Sequence, residues 1–100
     1  YVGHFIGKSM HMEPEVPNYG RRGRGKLLTP HLVLCIEPMV TMGKRNIFLD
    51  RDGWTVRTVD RKNAAHFEKA IFIRQDGMAE ELTSYKEIEV NLRKMGFWIS

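Results

Sequence analysis

Apolar positions along this chain recur mostly with the period-two spacing of β-strands and take up helical spacing only near the end. The run Leu32 to Val40 (LVLCIEPMV) is short, aliphatic and closed by Pro38, which predicts a buried strand. Upstream, Tyr1 to Ser9 carries Gly3 and Gly7 on either side of His4 and reads as a kinked strand or strand end. A second strand is expected over Arg45 to Leu49, a tight turn over Asp50 to Gly53, and a third strand over Trp54 to Val59, together a hairpin. Ala64 to Arg74 predicts a fourth strand, and a short one follows near Glu80 to Thr83. Beyond Ser84 the period changes. Ile88, Leu92 and Met95 share one helical stripe, with Ser84 as N-cap, Glu87 three residues on and Gly96 as the stop. The stripe is expected to pack on the sheet. The fold class is therefore α+β, a mostly antiparallel sheet with a C-terminal helix.

One hundred residues make a single domain with one modest core. The 42% hydrophobic and 28% charged content excludes a disordered chain, and no stretch has the length of a membrane span. Cys35 is the sole cysteine, so there is no disulfide framework; the expected setting is a reducing cytoplasm, with Cys35 a small core hydrophobe. The net charge of +4 favours an anionic neighbour, and Arg21, Arg22, Arg24 and Lys26 concentrate charge in one glycine-rich loop. A basic β-module binding RNA or the ribosome is one reading of that loop, and a solvated surface loop is the other. Tyr1 leads straight into patterned sequence without an initiator Met, which suggests further chain upstream.

Glu37 changes the picture. A carboxylate inside an apolar strand must find an Arg or Lys, a hydrogen-bonding shell around its protonated form, or a metal ion. Glu68 poses the same problem in the fourth strand, between Phe67 and the run Ala70 to Ile73. Two such carboxylates in one small sheet repel, and a divalent cation removes the conflict. With His4 between its glycines, one imidazole and two carboxylates stand on three strands, a donor set that suits manganese, iron(II), cobalt or zinc.

Four segments in this order, GHFIGKSMHMEPEVPNYG, the strand ending IEPMV, the DRDGWTVRT hairpin and AAHFEKAI, resemble the C-terminal half of the type I methionine aminopeptidases. These are dinuclear metallopeptidases with the pita-bread fold shared with creatinase and prolidase. The resemblance runs from about Tyr1 to Thr83 and implies a role for each singled-out residue. His4 and Glu37 would hold one metal and Glu68 would bridge two. Glu37 would also act as general base, and His11 would hydrogen-bond the scissile carbonyl or the tetrahedral intermediate. Met10 and Trp54 would wall the methionine side-chain pocket. The substrate implied is a nascent peptide beginning with Met, with the ribosome as a neighbour.

The chain departs from that pattern at three places. Phe5 stands where Gly is usual, Met10 where some members have Phe, and Lys69 follows Glu68 where His is common and is expected to point away from the metal. Two further aspartates, from the N-terminal half of the family fold, complete its metal site, and Asp50, Asp52, Asp60 and Asp76 stand in turns that do not match them. The expectation is thus a fragment, or one half of a split enzyme, whose partner is the missing N-terminal half. An uncovered apolar face and self-association should follow. A proline-specific peptidase of the same fold is the alternative enzyme.

Overall fold

The computed structural model describes residues 1–96. Nine short strands and one helix follow each other: β1 (Gly3–Phe5), β2 (Met12–Val16), β3 (Val33–Ile36), β4 (Met39–Thr41), β5 (Ile47–Leu49), β6 (Val56–Thr58), β7 (Ala64–His66), β8 (Lys69–Ile73), β9 (Ala79–Glu81) and α1 (Lys86–Lys94). Five of the strands form an antiparallel sheet in the order β2-β1-β3-β8-β9, while β4 pairs with β7 and β5 with β6 in two-stranded ribbons. The strand at Met12–Val16 has no counterpart in the sequence reading; it pairs with β1 across a bulge between His4 and Phe5. The basic loop of Arg21 to Lys26 is exposed and outside the strands.

Both strands expected to bury a carboxylate are interrupted, and of the two carboxylates only Glu37 is buried while Glu68 is exposed. The run Leu32 to Val40 divides at Glu37-Pro38 into β3 and β4, and Ala64 to Arg74 divides at Phe67-Glu68 into β7 and β8. Pro38 has no N–H to give to a ladder, which explains the gap. Register nevertheless carries through: Ile36 pairs with Lys69 on one side and Met39 with His66 on the other. Phe67 donates its N–H to the Pro38 carbonyl at 3.1 Å inside the gap. Glu37 is thereby placed opposite Glu68.

Alternation sorts the side chains of the sheet into two faces. Phe5, Leu34 and Ile71 share one rung and one face. There Phe5, Leu34 and Ile73 are buried, with Val16, Leu32 and Ile71 packed against them. His4, Cys35 and Ala70 share the next rung and point the other way. Glu37 and Glu68 lie two residues further along, on the face of His4.

The helix differs from its expectation in two respects. Tyr85, not Ser84, is the N-cap residue, and the Ser84 hydroxyl instead accepts from the Lys86 N–H at 3.2 Å. Its stripe is not core: Ile88 is 56% and Met95 71% exposed, and only Leu92 is half-buried. A helical period establishes amphipathicity and says nothing of what lies across from the apolar side. Gly96 ends the helix as expected, with φ +91° and its N–H on the Arg93 carbonyl at 3.0 Å. The part of the expected tail that falls on residues 97–100 lies outside the described residues.

The accessible surface is 9034 Å², against about 5,900 Å² for a compact protein of this mass. The radius of gyration is 16.4 Å, against about 13 Å for a compact chain of this length. Exposed Leu27, Val40, Phe48, Leu49, Phe67 and Leu82 account for part of the excess. The uncovered apolar surface anticipated from the sequence is present.

Candidate metal centre

Gly3 begins the site. A Cβ there would run into the carbonyl oxygen of Cys35 and crowd Val16, so only glycine lets β1 lie this close to β3 and bring His4 over Cys35. His4 is buried, and its Nδ1 lies 3.0 Å from the Phe5 carbonyl oxygen. A carbonyl can only accept, so Nδ1 carries the hydrogen and the Nε2 lone pair is directed inward.

Nε2 meets a carboxylate rather than a donor. Glu37, 8% exposed, places Oε1 at 3.4 Å from His4 Nε2 and Oε2 at 3.1 Å from Nε2 of His66. With Nδ1 of His4 bearing the hydrogen, Nε2 and Oε1 are two acceptors face to face. Such an arrangement calls for a cation between them, either a proton on the ring or a metal ion. Glu68 adds a second carboxylate on the same face. Ligand atoms of His4, Cys35 and Glu68 lie within 4.8 Å of one another. Burial pushes the Cys35 thiol up, and the neighbouring carboxylates of Glu68 and Glu37 push it the same way. The donors are one or two imidazoles and two carboxylates, a set that fits a borderline divalent cation. An imidazole whose far nitrogen is held by a backbone carbonyl is the usual orientation of a ligating histidine.

Of the residues singled out in the sequence, His4 meets both Glu37 and the exposed Glu68, with Cys35 rather than Glu37 completing the cluster around Glu68. His11 joins them at the margin, its ring 4.3 Å from that of His4 and tilted by 50°. Met10 is exposed beside it. Trp54 sits past the tip of the β5–β6 hairpin and is 84% exposed. There its N–H and that of Thr55 donate to Asp52 at 2.9 and 2.8 Å. Lys69 points away, paired with Glu81 at 2.8 Å.

Two residues were not singled out for the site, Cys35, whose thiol lies in the cluster with His4 and Glu68, and His66. His66 reaches Glu37 from β7, and its signal was parity: His66 and Glu68 are two apart, as are Cys35 and Glu37. His66 also borders an apolar cleft of about 370 Å³ that includes Tyr1, Met39, Ile47 and Val56. Trp54 does not line this cleft.

Residues 1–75 match the model of the metallopeptidase family M24. The chain belongs to this family, and the metal implied by its donor set is a divalent one. It is 51% identical over 77 residues to the methionine aminopeptidase of Clostridium perfringens, covering 77% of this chain and 31% of that protein. It is 52% identical over 77 residues to that of Clostridium acetobutylicum, with the same coverage. The structure superposes on the methionine aminopeptidase of Thermotoga maritima with a TM-score of 0.78 at 45% identity, over 84% of this chain and 33% of that one. The sheet and its ribbons are accordingly part of a pita-bread fold. The chain spans about a third of the length of the curated relatives it matches. These comparisons lend no support to the proline-specific or RNA-binding readings. Among the described residues no helix is long and apolar enough to cross a membrane.

Proposed function

We propose that this chain supplies part of the catalytic centre of a metal-dependent aminopeptidase that removes the N-terminal methionine from nascent polypeptides in the cytoplasm. The observation that supports the reading is His4 on the sheet face of Glu37 and Glu68, its Nε2 3.4 Å from a Glu37 oxygen and a ring nitrogen within 4.8 Å of ligand atoms of Cys35 and Glu68. His4, Glu37 and Glu68 would hold the divalent metal; cobalt, manganese, iron(II) and zinc are the candidates. The metal, when bound, polarises the scissile carbonyl and acidifies water.

The chain's own groups do the rest. Glu37 takes a proton from the attacking water and is steadied by His66 at its other oxygen. His11, beside His4, donates to the carbonyl oxygen as negative charge develops there. Met10 and Trp54 would contribute apolar contacts to the methionine side chain. The remaining two aspartates would come from the other part of the pita-bread fold.

The test titrates metal-free chain with Mn²⁺ or Co²⁺ by calorimetry, beside Glu37→Gln, Glu68→Gln and His4→Ala. A Met-Ala peptide is then offered to the chain supplied with the rest of the fold. Metal binding weakened by all three substitutions, with turnover only in the completed fold, is expected. A folded chain whose metal affinity is indifferent to them would overturn the reading.

A further inference from the structure

On the side of β8 that faces β9, the backbone groups of alternate residues need partners, and β9 ends at Glu81. The Leu82 N–H still reaches the Ala70 carbonyl at 2.9 Å. Beyond it, side chains take over from the strand. The Thr83 hydroxyl accepts from the Ala70 N–H at 3.1 Å. The Tyr85 hydroxyl accepts from the Glu68 N–H at 2.9 Å and donates to the Glu68 carbonyl. One phenol thus satisfies both main-chain groups of Glu68, using the donor and the acceptor that a hydroxyl possesses.

The ring is held as firmly as its oxygen. Its edge meets Phe67, with centroids 6.5 Å apart, and the Lys69 ammonium lies 4.9 Å from its centre. Lys69 is in turn fixed by Glu81 at 2.8 Å. Tyr85 lies beyond residue 75, where the family match ends. It grips the residue of the gap between β7 and β8 whose carboxylate lies near His4 and Cys35.

We infer that Tyr85 is a positioning residue for Glu68: its hydroxyl fixes the Glu68 backbone in the strand gap and so aims the carboxylate toward His4 and Cys35. The inference rests on the proposed role of Glu68 as a metal ligand. It ties the metal centre to the C-terminal segment, so that the start of α1 acts on the site through one hydrogen-bonding group.

The experiment compares Tyr85→Phe, which keeps the ring against Phe67 and Lys69, with Thr83→Val, which removes a neighbouring hydroxyl bond that does not touch Glu68. Amide hydrogen exchange is followed by NMR in the full metal-free chain, and Co²⁺ affinity and visible absorption are measured alongside Glu68→Gln. Tyr85→Phe is expected to speed exchange of the Glu68 amide about tenfold, to weaken Co²⁺ binding severalfold and to alter the cobalt bands. Thr83→Val should leave the cobalt bands and affinity as they were. Wild-type exchange at Glu68 in Tyr85→Phe would overturn the inference. So would unchanged cobalt binding in Tyr85→Phe when Glu68→Gln abolishes it. Cobalt binding indifferent to Glu68→Gln would instead remove the proposed role of Glu68 and the inference with it.

Discussion

Glu37 and Glu68 stand opposite each other on one of the two rungs where both of their strands are broken, with continuous register on either side. Like charges directly across a strand pair oppose folding. In the metal-free chain the pair is therefore a local cost, relieved in part by His4 and His66. Glu68→Gln should stabilise the metal-free chain by up to about 1 kcal/mol, while lowering divalent-metal affinity at least about tenfold. Thermal melts with and without Mn²⁺ would show the two effects with opposite signs; a loss of stability in the metal-free state would contradict the argument.

Gly3→Ala should act through the backbone. The added methyl meets the Cys35 carbonyl, which cannot rotate aside as a side-chain tip could. A loss of about 1–3 kcal/mol is expected from such overpacking, together with displacement of His4. Urea titration measures the first, and weakened metal binding reports the second.

Leu34 is the most buried side chain of the core face. Truncation to Ala should cost about 2–5 kcal/mol. Because Leu34 points away from His4 and Glu37, a metal affinity measured on the remaining folded fraction should be nearly unchanged. Its collapse would mean that the two faces are less independent than alternation makes them.

The hairpin turn gives a pH signature. Hydrogen bonds from the Thr55 hydroxyl and the Thr55 and Trp54 N–H groups hold the Asp52 carboxyl down to about 2, from 3.8. A depressed folded-state pKa means that the stabilisation is fully present above 3.8 and is lost as pH falls from 3.8 toward 2. The Trp54 and Thr55 amide resonances should shift through that window in wild type, and Asp52→Asn should flatten the change. A Trp54 amide that titrates near 3.8 would contradict the geometry.

The excess of accessible surface, 9034 Å² over about 5,900 Å², predicts concentration-dependent self-association of the isolated chain. Sedimentation velocity across a concentration series would show it. A single monomer peak at every concentration would contradict the prediction.

The three central ligand candidates were legible in the sequence because each violates its surroundings. His4 sits between glycines in an apolar segment, and Glu37 and Glu68 sit in strands that should exclude charge. Pro38 marked where the first strand must break, but the matching break at Phe67-Glu68 has no signal of its own; it follows from pairing with Pro38. His66 escaped notice because its neighbours Ala64 and Ala65 are small and its segment looked like ordinary strand. Its role depends on which face it shares, which is set by the pairing of β7 with β4. Ile88, Leu92 and Met95 show the reverse case. Their spacing fixes a stripe, yet the sequence of a helix carries no record of what, if anything, covers it. Trp54 belongs with them, since a side chain past a hairpin tip takes its neighbours from other parts of the fold.

Alternation along β3 and β8 gives core and site opposite parity, and this limits how the chain can change length. A single-residue insertion between Leu32 and Glu37 would slip the register by one and exchange the faces. Glu37 would turn toward Phe5 and Ile73, and Leu34 would turn toward His4. Folding and chemistry would fail together. Descendants of this segment can lengthen or shorten freely in the exposed loop of Arg21 to Lys26, whereas the interval from Leu32 to Glu37 behaves as an indivisible heritable unit.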